Sequence, residues 1–255
     1  MTGNGAPEKE ETMSLVQHLE EFRRVIIISL LAIGIASIGS FFFIEQILKI
    51  ITRPLDAQGI KLVYTAITEG IFVKFKIALI AGTIFAAPVV LWQGWRFVVP
   101  ALYPHEKRYL CRLLPASIIL FVAGVVFAYF AVFPVAIYVL INLASEFDPM
   151  LTISRYLSFT MTFLIPFGLI FELPLVVYFL TKIGVVTPEW LIRNRKYAVV
   201  VTFILAAMLT PGPDPLSQLI MAAPILILYE VGIIVAKTVA RKKEAKFKEL
   251  AGEES

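Results

Sequence analysis

Cysteine is almost absent: Cys111 stands alone among 255 residues, which excludes a disulfide framework and a thiolate metal cluster. Histidine is nearly as scarce, and neither His18 nor His105 belongs to a His-Glu-x-x-His run that would hold a catalytic metal. Charge is thin as well. Asp, Glu, Lys and Arg make up 16% of the chain, against about 25% in a soluble domain. With 59% apolar residues and a mean hydropathy of +0.84, too little polar surface remains to cover a globule. A soluble enzyme, a disordered chain and a coiled coil are thereby excluded. What the sequence has instead is a series of long uncharged runs, the pattern of a polytopic all-α membrane protein. The net charge of +4 comes from cations placed beside those runs, which is membrane topology rather than nucleic-acid binding.

Residues 1–13 hold acids but no basic start and no apolar stretch, so a flexible acidic tail rather than a signal peptide is expected there. The membrane domain is expected over 14–237, followed by a basic tail over 238–255. Within it, Val25 to Ile44 gives 20 uncharged residues, about 30 Å of helix and the thickness of the hydrocarbon core. Further runs cover Ile77 to Trp95, Leu113 to Ser145 and Tyr156 to Thr181. The third is longer than a bilayer needs and is expected to tilt or project near Pro134. Tyr197 to Thr210 and Leu216 to Ala236 complete the set, with Pro224 as a kink. Between them Thr210-Pro-Gly-Pro-Asp214-Pro215 marks a tight reversal. Six transmembrane helices follow, the last two short. Most of the 23 Lys and Arg residues then fall on the side of the two termini, which makes that side cytoplasmic, N-in and C-in.

Four places carry candidate chemistry. Before the first span, Ser14 and Gln17 have capping-box spacing, and Leu15, Leu19 and Phe22 recur at helical intervals. This reads as a short amphipathic helix on the inner membrane surface, with Glu20 and Glu21 on its polar face. Those acids either bind a cationic partner or pair internally with Arg24 at i,i+4 and i,i+3. After the second span, Pro104 suits a first helical position and puts Glu106 in a first turn, beside His105, Lys107 and Arg108. In the fourth span Glu172 lies ten residues from Lys182, about 15 Å along a helix and near mid-membrane. A carboxylate there must be protonated, paired or turned to a watery cavity, which favours a functional role. Asp214-Pro215 reads as an N-cap and N1, with Ser217 and Gln218 polar nearby. Glu230, seven residues from Lys237, is expected to be structural. Trp92, Trp95 and Trp190 suit the interfacial belt.

Taken together and in order, these pieces resemble the TatC family, the multi-spanning receptor subunit of the twin-arginine protein translocase. The matching segments are His18-Leu-Glu20-Glu21-Phe22-Arg23, Arg53-Pro54-Leu55 in the first outer loop, and Ala87-Pro88-Val89. They continue with Phe97-Val-Val-Pro-Ala-Leu-Tyr103, His105-Glu106-Lys107-Arg108, Phe127-Ala-Tyr-Phe130, Phe171-Glu172-Leu-Pro174, and Thr210 through Gln218. Phe22 stands where the family usually has leucine.

The resemblance implies a receptor in the bacterial inner membrane that binds twin-arginine signal peptides of folded precursors, with Glu21 and Glu106 as the binding acids. Glu20 is the spare, and Arg23, His105, Lys107 and Arg108 surround them. Two adjacent guanidinium groups are planar forks that carboxylates bind through paired hydrogen bonds, which lysine does not reproduce. It further implies a concave membrane-facing surface where Glu172 meets single-span partners of the TatA and TatB type, and outer-loop roles for Pro54, Asp214, Ser217 and Gln218. Homo-oligomerisation within the complex, export driven by the proton-motive force, no cofactor and no enzymatic activity complete the expectation. The alternative is a proton-coupled small-solute transporter using Glu172.

Overall fold

The computed structural model describes residues 15–56, 62–102, 107–143, 151–210 and 215–252. The expectations for residues 1–13, Ser14, His105, Glu106 and Asp214 therefore lie outside the described residues. α1 (Leu15–Phe41) runs antiparallel to α3 (Glu69–Leu102), as the Phe41–Phe75 and His18–Phe97 ring contacts at their two ends require. The amphipathic start and the first span are thus one continuous helix, not a surface helix followed by a crossing. No proline or glycine interrupts Leu15 to Ile33, so nothing in the backbone chemistry stops the helix between them.

Between α1 and α3 lies α2 (Ile44–Asp56), where a loop was expected. Ile44, Ile51 and Leu55 are buried at helical spacing while Glu45, Lys49 and Arg53 stay exposed, so α2 lays one apolar stripe on the bundle. Pro54 sits in its last turn. Residues 63–69 are tied down by polar contacts. Val63 forms a parallel bridge with Thr152. One carboxylate oxygen of Glu69 accepts from the Thr65 N–H at 2.7 Å and the other from the Ser154 N–H at 3.1 Å, capping the helix that starts there. Lys76 donates to the hydroxyls of Ser154 and Ser158 at 2.8 and 2.9 Å.

The long third run is α4 (Lys107–Phe127), a π-turn over Ala128–Val132, and α5 (Phe133–Leu143). The N–H of Phe133 bonds to the carbonyl of Ala128, five residues back. Pro134 has no N–H to give, and the wider register just before it absorbs that loss without ending the helix. The fourth run is divided at Phe171 and Glu172 into α6 (Ile153–Ile170) and α7 (Leu173–Ile183), with Pro174 opening the second half. Gly184, at φ 84°, closes α7. The short α8 (Pro188–Arg193) is capped by the Thr187 hydroxyl, which accepts from the Trp190 N–H at 3.3 Å.

α9 (Arg195–Leu209) and α10 (Pro215–Gly252) pack antiparallel, pinned by an Arg195–Glu230 ion pair of 2.6 Å. Glu230, expected to be structural, is the acid of that pair. α9, at 15 residues, is short, but α10 is not: its 38 residues run through the apolar stretch and on through most of the basic tail. Five helical segments among the described residues are long and apolar enough to cross a membrane, and α9 is not one of them. The largest core joins α2, α3, α5, α6 and α10 around Phe133, Phe163 and Phe167, all fully buried.

Candidate functional site

At the N-terminal end of α1, His18 stacks on Phe97 with ring centres 4.4 Å apart, and Phe22 packs on the same ring at 5.6 Å. These contacts dock the start of α1 on the end of α3. Beside them Glu21 lines a cleft of about 30 Å³ with Arg24, Val25, Gln93, Arg96 and Phe97. That is room for roughly one or two waters. Glu20 and Arg23 are exposed. The sole ion pair among the described residues is Arg195–Glu230. The internal pairing of Glu20 and Glu21 with Arg24 is therefore not formed. Lys107 and Arg108 open α4, and their side chains, like Glu106, lie outside the described residues.

Glu172 sits in the break between α6 and α7 and is buried. Its Oε2 accepts from the Ser117 hydroxyl at 2.6 Å, and that hydroxyl accepts from the Trp95 indole N–H at 3.0 Å. Among the described residues its other oxygen has no hydrogen-bond partner. Two glycines bring the helices this close. A Cβ on Gly124 of α4 would lie 2.5 Å from the carbonyl oxygen of Phe167, and one on Gly168 of α6 would lie 2.6 Å from the Phe121 ring. With α4 and α6 antiparallel, that crossing places Ser117 opposite Glu172.

Trp95 is therefore not a belt residue: it is buried, donates into this chain and packs edge-on against Phe179 at 5.4 Å. Trp92 and Trp190 are exposed. Trp95 also shares one turn of α3 with Gln93, Arg96 and Phe97. A single helical turn thus faces the Glu21 cleft on one side and the Glu172 network on the other.

The other positions gather at the opposite end of α1. Pro54 lies in α2, where Tyr129 donates to the carbonyl of Ile50 at 2.5 Å and Tyr156 to that of Ile51 at 2.6 Å. Gln218 donates to the carbonyl of Phe203 at 2.8 Å and ties α10 to α9, while Ser217 is buried. Neither group approaches Glu21. Sequence reasoning missed Trp95 and Ser117 as partners of Glu172. A serine inside an apolar run is itself the signal, because its hydroxyl must find a partner there.

The family model described as Sec-independent protein translocase protein (TatC) matches residues 17–224. The chain belongs to the TatC family. It is 51% identical to the Sec-independent protein translocase protein TatC of Carboxydothermus hydrogenoformans over 236 residues, covering 92% of this chain and 97% of that one. The TatC of Aquifex aeolicus is 41% identical over 237 residues, with 91% and 98% covered. A crystal structure of the twin-arginine translocase receptor TatC superposes with a TM-score of 0.79 at 40% identity, covering 88% of this chain and 99% of that chain. As a TatC protein with several apolar helices, the chain is a multi-pass membrane component of the Sec-independent translocase.

Proposed function

We propose that this TatC protein is the receptor that binds twin-arginine signal peptides at the cytoplasmic face and assembles with TatA- and TatB-type subunits for export driven by the proton-motive force. The observation that carries the reading is Glu21. It is held by the aromatic docking of α1 on α3, at the mouth of a cleft, with no basic side chain paired to it among the described residues. A preplaced carboxylate at a membrane edge suits a guanidinium fork. An exposed pair alone contributes under about 1 kcal/mol, so the apolar part of the signal supplies the rest by lying against the helices. Glu106 completes the acid pair, with Glu20 in reserve. Arg23, His105, Lys107 and Arg108 set the local charge.

In this reading the chain crosses the inner membrane six times, α9 being a short fifth crossing, with both termini inside. Glu172 receives a polar side chain from a single-span partner, its unpartnered oxygen being the open acceptor. Pro54, Asp214, Ser217 and Gln218 shape the outer face. Photo-crosslinking from positions 21 and 106 to a twin-arginine precursor tests the proposal. Glu21→Gln with Glu106→Gln is expected to abolish the adduct while the protein stays in the membrane, and an undiminished adduct refutes it.

A further inference from the structure

Between the C-terminal half of α7 and the middle of α10 lies a groove of about 500 Å³, lined by Tyr178 and Lys182 on one side and by residues 234–243 of α10 on the other. Its size is within the roughly 300–1,000 Å³ range of small-molecule sites. The lining is graded. At one end are Ile234, Val235 and Val239; at the other are Lys182, Lys242 and Lys243, and no acidic residue is among the lining groups that belong to the described residues. Residues 234 and 243 are nine apart, about 13 Å along a helix, so the groove runs from apolar helix into the polar boundary of a bilayer.

Two helices converge their cations here. Lys182 donates to the Tyr178 hydroxyl at 3.5 Å and lies over its ring, which leaves the phenol O–H to donate outward. Lys243 reaches across from α10 until its Nζ is 3.8 Å from where a Cβ on Gly184 would lie, over the turn that ends α7. Lysines that merely snorkel point to separate headgroups. Three that border one concave groove repel one another and favour an anion between them, as basic pockets between transmembrane helices do for acidic lipid heads. Ile234 is 63% exposed along the same groove, and a free anion has no use for that apolar wall. A lipid does.

We propose that this groove holds an anionic phospholipid, its phosphate among Lys182, Lys242 and Lys243 and an acyl chain along Ile234, Val235 and Val239. The site is separate from the signal-peptide reading, because a lipid would bind here even in a TatC protein that captured no precursor. The full-length protein, purified in neutral detergent and titrated with phosphatidylglycerol, is read by native mass spectrometry. Lys182→Gln/Lys242→Gln/Lys243→Gln is expected to weaken the tightest phosphatidylglycerol site by about a hundredfold. Removing Lys237, Arg241 and Lys248, which carry equal charge on α10 outside the groove, should change it by less than about threefold. Equal losses in the two triple variants would mean diffuse attraction and overturn the proposal. So would an unchanged triple variant, a matching dependence with phosphatidylcholine, or displacement of the lipid by equimolar inorganic phosphate. If the groove triple misfolds, Lys242→Gln/Lys243→Gln decides: both side chains are exposed, the expected loss is about thirtyfold, and unchanged affinity sinks the site.

Discussion

The hydroxyl of Tyr129 donates to the carbonyl oxygen of Ile50, the acceptor that Pro54, four residues on, leaves without a helical N–H. Of the segments by which the sequence resembled its family, Phe127-Ala-Tyr-Phe130 thus supplies the donor for the carbonyl that the proline of Arg53-Pro54-Leu55 leaves open. Tyr156 donates to the next carbonyl, that of Ile51, so two phenols hold this part of α2 from outside. Replacing Tyr129 with Phe orphans the Ile50 carbonyl and should cost about 1–2 kcal/mol. In a Pro54→Ala background the restored N–H at 54 takes over, and the cost of Tyr129→Phe should fall close to zero. Thermal unfolding of the four proteins in detergent gives the coupling; equal costs in both backgrounds would show that proline and phenol are unconnected.

The α4–α6 crossing predicts an order among glycine substitutions. At Gly124 a new methyl meets a backbone carbonyl 2.5 Å away, whereas at Gly168 it meets the edge of the Phe121 ring at 2.6 Å. A ring turns aside more readily than a helix backbone moves. Overpacking of this kind costs about 1–3 kcal/mol, so Gly124→Ala should lie at the upper end and Gly168→Ala at the lower. Melting temperatures in one detergent check this, and a reversed order would contradict the crossing geometry.

Ser117 is the hinge of the buried polar chain, donating to Glu172 while accepting from Trp95. Ser117→Ala strands both partners at once and should destabilise by about 2 kcal/mol or more. Glu172→Gln keeps an oxygen to accept the Ser117 proton and should be milder. The comparison is again one of unfolding midpoints. It is informative because a cluster held only by the Trp95–Phe179 contact would tolerate Ser117→Ala as readily as Glu172→Gln.

The helical class, the approximate places of the apolar runs and the family were all readable from residue types, because long uncharged segments have few ways to satisfy their backbone. The isolation of Glu172 in its run marked it as a polar position, and the structure buries it against Ser117. What stayed hidden was tertiary. Arg53-Pro54-Leu55 looked like a loop because proline usually ends a helix, and only the distant Tyr129 and Tyr156 make helix tolerable there. Trp95 looked interfacial by its place near a span end, yet its burial depends on Phe179 and Ser117 from other helices. The pairing of Glu20 and Glu21 with Arg24 was permitted by spacing and is not formed, since spacing on a helix allows such a pair without requiring it.

α9 is 15 residues long, about 22 Å of helix against a hydrocarbon core of about 30 Å. As a crossing it leaves several ångströms unmatched, and a bilayer meets such a segment by thinning around it. α10 gives no compensation, since its apolar stretch is of full length and the two helices are pinned at Arg195–Glu230. If the thinning assists passage of folded cargo, inserting four apolar residues after Val201 should remove it by adding one turn, about 6 Å. The expected result is export reduced by an order of magnitude or more, with the protein still membrane-inserted and still crosslinking to precursor from position 21. Export measured in inverted vesicles at unchanged rate would show that the short helix is incidental to transport.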